Sequence, residues 1–599
     1  MNGWAIFYGL LALIWGLDAF RMRKRASSLS VLTDSDEPVS AGHRFITRDG
    51  VQLDDATRRA ASAFARREGL LVLDIVPRDL PARRALLFLQ LIDVATYRKD
   101  PTAPGRSAGE ALLVDADVWA RAKVGDEPID DVLALTELAR RLKLYASREC
   151  DVAVAPRLRT APEIAPRRRE LLRFGIGNFG PPLVVLQSAL ALTAPIVSPI
   201  AGGIALGVAH VQALVATVGT KLSPRGIFLY ALFRTLGDLV GTLDVFAPPA
   251  RDPMRAEASR LRPVYAALLA RGTDHFFEPR REECPMCDGK NLEHKLTVGD
   301  RLQLKPGRFT LERCKDCRHI FQNPRLSIEG LDFYYKDFYD GLGESEVESL
   351  FLKEIGEYRD RARMVRAVVE PSRWLDAGGG HGHFCMVARE EWPEAVFDAV
   401  DLSTNIEDAE RRRWVAHGYR ALFPDLAADL AGKYDVVSMS HYLEHTRDPR
   451  AEIQAAAKVV RTGGALLVEL PDPESRLGAV IGGFWVPWFQ PQHQHFLHIA
   501  SLEKLLRENG FEPVVVHRGE AHRGVDFVLA FAMLMNVVAP PQGRPWLKPA
   551  FAFAGLRNFV LWVLAIPALV VARLVDLALT PLCRRPGWAN AYRVVARRL

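Results

Sequence analysis

Residues 374–382 read Trp-Leu-Asp-Ala-Gly-Gly-Gly-His-Gly, an apolar run that ends in Asp376 and breaks into a glycine loop. Downstream, Val400-Asp401-Leu402 closes a second apolar run on an acid. Glycine is needed in such a loop because the backbone must turn tightly and approach a ligand that a Cβ would exclude. An acid at the end of the next strand can accept both hydroxyls of a ribose. A glycine loop alone also fits a dinucleotide pyrophosphate. Here the spacing is Asp-x-Gly-x-Gly-x-Gly over Asp376, Gly378, Gly380 and Gly382, with the acid on the strand before the first glycine. That arrangement favours a nucleoside cofactor without phosphates, held by Asp376, Ala377 and the glycines on one side and by Asp401 and Leu402 on the other.

The chain has 599 residues, too many for one core. Its formal charge of +6, from 78 Lys+Arg against 72 Asp+Glu, is only mildly basic. No dense Lys/Arg block with interleaved aromatics is present, so nucleic acid is not an expected partner. Seven cysteines do not make a disulfide scaffold, and a reducing, cytoplasmic setting fits them.

Membrane signals divide the chain. Trp4–Gly16 is uncharged, extends to Phe20 across Asp18, and is followed by Arg21–Arg25. Residues 1–25 are therefore expected to be a retained anchor whose cationic end lies in the cytoplasm. Residues 26–173 read as a soluble α/β region, with a strand near Leu70–Val76 and an amphipathic helix over Asp54–Arg67. Between Arg173 and Lys221 no residue carries a formal charge. Two spans fit there, so 174–250 is expected to be a membrane hairpin, flanked by Arg167–Arg169, Arg173, Lys221 and Arg225. Residues 226–247, with Arg234, Asp238 and Asp244, should then form an interfacial helix. Residues 251–283 read as a linker. Near the end, Phe559–Ala572 is short for a span. The tail with Arg584, Arg585, Arg593, Arg597 and Arg598 suits an anionic leaflet, so 537–599 is expected to be membrane-associated.

Cys284-Pro285-Met286-Cys287 and Cys314-Lys315-Asp316-Cys317 are two knuckles whose four thiolates can surround one zinc ion. A closed four-sulfur site leaves no position for water, so a structural Zn2+ ribbon over 284–325 is expected, without a catalytic role. His319 then reads as a surface or packing residue.

From Cys284 to about Asn536 the chain resembles the class I methyltransferases that use S-adenosylmethionine (SAM) and carry an N-terminal zinc-binding module. The resemblance runs through Phe321–Arg325, the aromatic segment Phe333–Tyr339, the glycine loop, Asp401, Phe423-Pro424-Asp425, His441–His445, Asp448-Pro449 and Leu466–Pro471. It implies a doubly wound, Rossmann-like α/β sheet over 326–536 with SAM at the carboxyl ends of its strands. By the same resemblance Phe423 and Asp425 would lie at the adenine, and His441 would stand on the rim. Asp425 as a mere helix cap is the plain alternative. Residues 40–165 more weakly resemble the later part of a membrane-associated family 2 glycosyltransferase, at Phe45–Gly50 and Cys150–Pro156. They lack an Asp-x-Asp metal motif, so a degenerate, non-catalytic region is expected.

On the acceptor side, Phe484–Phe489 precedes Gln490–His498, which places three imidazoles after an aromatic loop. Sugar C-methyltransferases of the resembled class have His-Glu-His here, with the second His as base. This chain has His493-Gln494-His495, without the polarising carboxylate. His495 is the first candidate for a general base, followed by His493 and His498, and hydrogen bonding within a lid is the plain alternative. The favoured function is a membrane-bound methyltransferase acting at the cytoplasmic face of a bacterial inner membrane. Its partners would be the lipid bilayer and a saccharide, lipid-linked sugar or other amphipathic acceptor. A non-catalytic scaffold with a vestigial SAM site is the alternative.

Overall fold

The chain folds as two units, Met1–Arg251 and Asp252–Leu599. The computed structural model describes residues 3–92, 97–98, 105, 107–125, 129–162, 180–237, 253–337, 355–519, 524–541, 543–548 and 553–599. Arg167–Arg169, Arg173, Asp238, Asp244 and the pair Phe338-Tyr339, all used in the sequence reading, lie outside the described residues.

The first unit carries a five-stranded sheet. Its strands are β1 (Ser30–Val31), β2 (His43–Thr47), β3 (Val72–Pro77), β4 (Ala111–Asp115) and β5 (Cys150–Ala155), in the order β1-β5-β3-β4-β2. The expected amphipathic helix forms over Asp55–Glu68, and Asp54 caps it by accepting from the Thr57 amide at 2.7 Å. Its alanines and Phe64 pack on Leu73, Ile75 and Leu113 of the sheet.

The apolar segments form helices Gly3–Ser28, Gly180–Val197 and Pro199–Thr217. Tyr8, Ala12 and Trp15 pack on Ala194, Ala205 and Ala209, small residues that let helices approach closely. Asp18 is accounted for inside this bundle. Gln212 Nε2 donates to Asp18 Oδ2 (3.0 Å), and Arg234 donates to Gln212 Oε1 (2.8 Å).

The second unit begins differently from expectation. Residues 253–269 are a helix, not a linker, because Tyr265 is buried with Phe276, Phe309, Phe333, Tyr334 and Trp546. Strands β6 (Leu292–Val298), β7 (Phe309–Cys314) and β8 (Ile320–Gln322) follow. The main sheet contains β9 (Arg373–Ala377), β10 (Val396–Asp401), β11 (His417–Arg420), β12 (Tyr434–Ser440) and β13 (Val460–Pro471). After β14 (His495–Phe496) it is completed by β15 (Phe511–His517) and β16 (Ala591–Arg598). The order is β11-β10-β9-β12-β13-β16-β15. Strands β9 to β13 pair in parallel, whereas β16 runs antiparallel to both neighbours. Without β16 this is the doubly wound order 3-2-1-4-5-6, so ligands are expected at the carboxyl ends near β9 and β12.

β16 corrects the reading of the tail. Tyr592, Val594 and Ala596 enter the same core as Leu466, Val468 and Leu470, so the last strand belongs to the sheet and not to a lipid surface. Arg593 is 4% exposed.

The short apolar run near Phe559 is part of a 30-residue helix, Ala554–Cys583. Its charges are used locally. Arg573 donates to the Gly524 carbonyl at 3.0 Å, and Asp576 accepts from the Phe527 and Val528 amides at 3.0 Å each, capping helix Asp526–Val538. Among the described residues, three helices are long and apolar enough to span a membrane: Gly3–Ser28, Pro199–Thr217 and Ala554–Cys583.

Candidate active site

β9 ends at Ala377, and the chain turns through Gly378, Gly380 and Gly382 at φ of +76°, +49° and +76°. At Gly378 an added Cβ would meet the Tyr442 ring at 2.5 Å, whereas at Gly380 it would meet nothing within 4 Å. The first glycine is demanded by packing, and the second faces open space at the strand ends, where a ligand can approach the backbone.

Asp401 closes the loop from β10. Its Oδ2 accepts from the Gly380 amide (3.0 Å) and its Oδ1 from the Ser403 amide (2.8 Å). Asp376 behaves otherwise. It is buried and accepts from Ser438 Oγ of β12 at 2.5 Å, while Ser438 also accepts from Trp374 Nε1 at 2.8 Å. Burial pushes the Asp376 carboxyl up to about 7. Asp376 therefore ties β9 to β12 beneath the loop, and Asp401 is the acid on the rim.

Beyond the registered pair Asp401/Arg420, Leu402 and Leu422 follow the ends of adjacent strands, 61% and 49% exposed. Both are exposed apolar side chains just past the carboxyl ends of β10 and β11. Phe423 is instead core, and Asp425 lies exposed in the first turn of the short helix Phe423–Leu426, whose N-cap is Leu422.

His441 follows β12 at a φ of +49°. Its Nδ1 lies 2.9 Å from Glu444 and its Nε2 3.0 Å from Glu469. Burial opposes its charge, but the two carboxylates outweigh this and push its pKa up to about 10. Glu469 also receives two bonds from Arg361 (2.9 and 2.8 Å) and one from Arg593 of β16 (2.5 Å). Burial works against ionisation of Glu469, yet Arg361 and Arg593 hold it well below the usual carboxylate range. His441 is thus a clamped imidazolium on the rim, oriented by a chain of charges that reaches the C-terminal strand.

The three lid histidines separate. His495 lies in β14, which pairs with β8, and its Nδ1 is 3.1 Å from His319 Nε2. Both rings are buried, and burial pushes the His495 pKa down to about 4. His495 is a sheet residue with a structural partner and a poor base, which corrects its first rank, and His319 is its buried partner. His498 is the N-cap of helix Ile499–Glu508 and lies 3.0 Å from Glu474, so it too has a structural task. His493 alone turns toward the rim, with its ring 4.6 Å from that of His445.

A family model described as a methyltransferase domain matches residues 352–516. A ubiquinone biosynthesis O-methyltransferase of Xanthomonas axonopodis pv. citri is 31% identical over 166 residues, covering 25% of this chain and 68% of its own length. The chain belongs to the class I SAM-dependent methyltransferases. The protein of the same name from Bordetella avium is 32% identical over 158 residues, 24% of this chain and 62% of the relative. In Thiobacillus denitrificans the identity is 28% over 201 residues, 30% of this chain and 86% of the relative. The methyltransferase thus spans under two thirds of the Bordetella relative. Among solved structures, a SAM-dependent methyltransferase from Archaeoglobus fulgidus is 17% identical and covers 42% of this chain and 99% of its own. Its TM-score is 0.27, so the assignment rests on the sequence relatives and the family model.

In the same unit of the methyltransferase, Cys284, Cys287, Cys314 and Cys317 converge, with all four sulfurs within 4.8 Å of one another. The pairs Cys284–Cys317 and Cys287–Cys314 are each 3.6 Å apart. Four thiolates about 2.3 Å from one ion at tetrahedral angles stand about 3.8 Å apart, whereas a disulfide needs about 2.05 Å. The donor set and spacing fit zinc.

Proposed function

We propose that this methyltransferase works at a bilayer, on its cytoplasmic side, and transfers the methyl of SAM to a hydroxyl of an amphipathic, membrane-resident acceptor. The observation that carries this is covalent. The unit that holds the cofactor loop also contains helix Ala554–Cys583, which includes an 18-residue stretch of mean hydropathy 2.2, only 11% of it buried. That helix leads directly into β16 of the cofactor sheet. An acceptor gathered by the bilayer would meet an enzyme already anchored there.

The relatives named for O-methylation in ubiquinone biosynthesis support oxygen as the nucleophile and a lipid-like acceptor. A lipid-linked sugar belongs to the same amphipathic class. Bound SAM supplies a methyl group already activated on sulfur. The chain's own work is to hold it between the Gly380 backbone and Asp401, and to exclude water. The four cysteines would hold a structural zinc that fixes the β6–β8 sheet beneath the lid.

The test uses full-length protein in native membranes with SAM labelled on the methyl group. Label is expected in the organic-extractable fraction and lost in Asp401→Ala. Label confined to water-soluble products would refute the membrane acceptor. Absence of SAM binding would remove the catalytic reading and favour the scaffold.

A further inference from the structure

The first unit holds a cavity of about 490 Å3 between helices Gly3–Ser28 and Gly180–Val197, a volume typical of small-molecule sites. The two helices meet beyond one end of it, where the Tyr8 hydroxyl lies 3.2 Å from Thr193 Oγ1. Leu11 and Leu190 line the cavity toward that end. Asp18, Arg21, Gln90 and Gln187 line it toward the other. An apolar channel thus runs into one polar cluster.

The polar end is fixed in place. Arg25 donates to the Leu89 and Gln90 carbonyls at 2.8 and 2.9 Å, which ties the end of helix Ala82–Leu91 to Gly3–Ser28. Asp18 is already engaged. Arg21 Nη2 donates to its Oδ1, and Gln212 donates to its Oδ2 at 3.0 Å. Arg234 in turn donates to Gln212 Oε1 at 2.8 Å, so two arginines flank the acid. Three donor groups are left over. Among the described residues, Arg21 makes no hydrogen bond through Nε or Nη1, and the carboxamides of Gln90 and Gln187 make none. The Arg21 side chain is 57% exposed, so a ligand can reach its free edge. A polar side chain without a partner on so apolar a helix as Gly180–Val197 is costly in hydrocarbon.

We infer that this cavity binds a single-chain lipid phosphate, its phosphate monoester at Arg21, Gln90 and Gln187 and its chain along Leu11 and Leu190. Arginine can give two parallel hydrogen bonds to phosphate oxygens, and each carboxamide supplies two more N–H donors. Together they match the three terminal oxygens of a monoester. A phosphodiester offers only two such oxygens, and a diacyl lipid brings a second chain into a cavity of single-ligand size. The basic run Arg21–Arg25 at the same end of the helix adds to the attraction for an anion. The site lies within the first unit and does not rest on the methyltransferase reading.

The test uses full-length protein in phosphatidylcholine nanodiscs with radiolabelled dodecyl phosphate, bound label being counted against empty discs. One saturable site per chain is expected. Dodecanol should displace the probe at least about tenfold less well than unlabelled dodecyl phosphate, since it lacks the charged acceptor. Gln187→Leu should weaken binding about tenfold or more by removing one donor to a charged group. Leu190→Trp should abolish binding by filling the apolar end. Both substitutions suit an apolar helix, and unchanged thermal unfolding identifies the folded variants; if Leu190→Trp fails to fold, Gln187→Leu carries the test. Non-saturable uptake, or full-strength binding by folded Gln187→Leu, would overturn the site. Equal displacement by dodecanol would refute phosphate recognition, and equal displacement by phosphatidylglycerol would refute the single-chain occupant.

Discussion

Arg593→Met separates the two readings of the C-terminal tail. In a lipid-facing tail, Arg593 and Arg597 would be equivalent cations. In the folded sheet Arg593 is 4% exposed and bonds the fully buried Glu469, whereas Arg597 is exposed. Removing one partner of a buried pair typically costs about 3–5 kcal/mol, because the remaining charge is left uncompensated. Here Arg361 and His441 still contact Glu469, so the lower end, about 3 kcal/mol, is expected. For a unit running from Asp252 to Leu599, with an unfolding entropy of about 2.1 cal/mol/K per residue, that corresponds to a fall in Tm of roughly 4 °C. Arg597→Met should change Tm by less than about 1 °C. The assay is thermal unfolding of full-length protein in detergent, with liposome flotation on the same samples. Equal melting temperatures, or equal loss of flotation in both variants, would refute the place of β16 in the sheet.

Asp401→Ala should abolish detectable SAM binding by calorimetry, since it removes the acceptor of the Gly380 amide. Asp376→Asn should bind SAM within about fivefold of the parent, because the Asn oxygen still accepts from Ser438; a complete loss would return Asp376 to direct contact with the cofactor. Loading with a strong chelator, or Cys314→Ser, should release one zinc and expose the β6–β8 sheet to protease, read by metal analysis and mass spectrometry. The clamp on His441 has a definite pH sign. Its folded pKa, about 10, lies above the unfolded value, so its stabilisation is complete below about pH 6.5 and is lost as pH rises through about 10. His441→Gln should flatten that alkaline decline in unfolding midpoint, and an unchanged decline would rule out the clamp. A fragment ending at Asn536 lacks β16 and leaves the edges of β13 and β15 unpaired, so it should be insoluble or fail to bind SAM.

The parts legible in the sequence were those whose chemistry is local. The glycine spacing of 376–382 has one geometric meaning because the positive φ values fall within a few residues. The cysteine knuckles carry their own ligand spacing in the same way. What escaped were pairings made over long sequence distances. Arg593 reads as one of several tail cations until its partner Glu469, 124 residues away, is in view. His493 and His495 are indistinguishable by type and spacing; only the pairing of β14 with β8 sends one to His319 and leaves the other beside Glu444. The same long-range strand explains why the apolar segment reads as separate. The apolar helix 554–583 looks like an appendage, yet the strand behind it sits between β13 and β15, inside the cofactor sheet. Arg593 from that strand orients Glu469, Glu469 orients His441, and His441 holds one oxygen of Glu444 while the other faces the two imidazoles. The rim is therefore oriented in part by Arg593, from the strand that follows helix Ala554–Cys583.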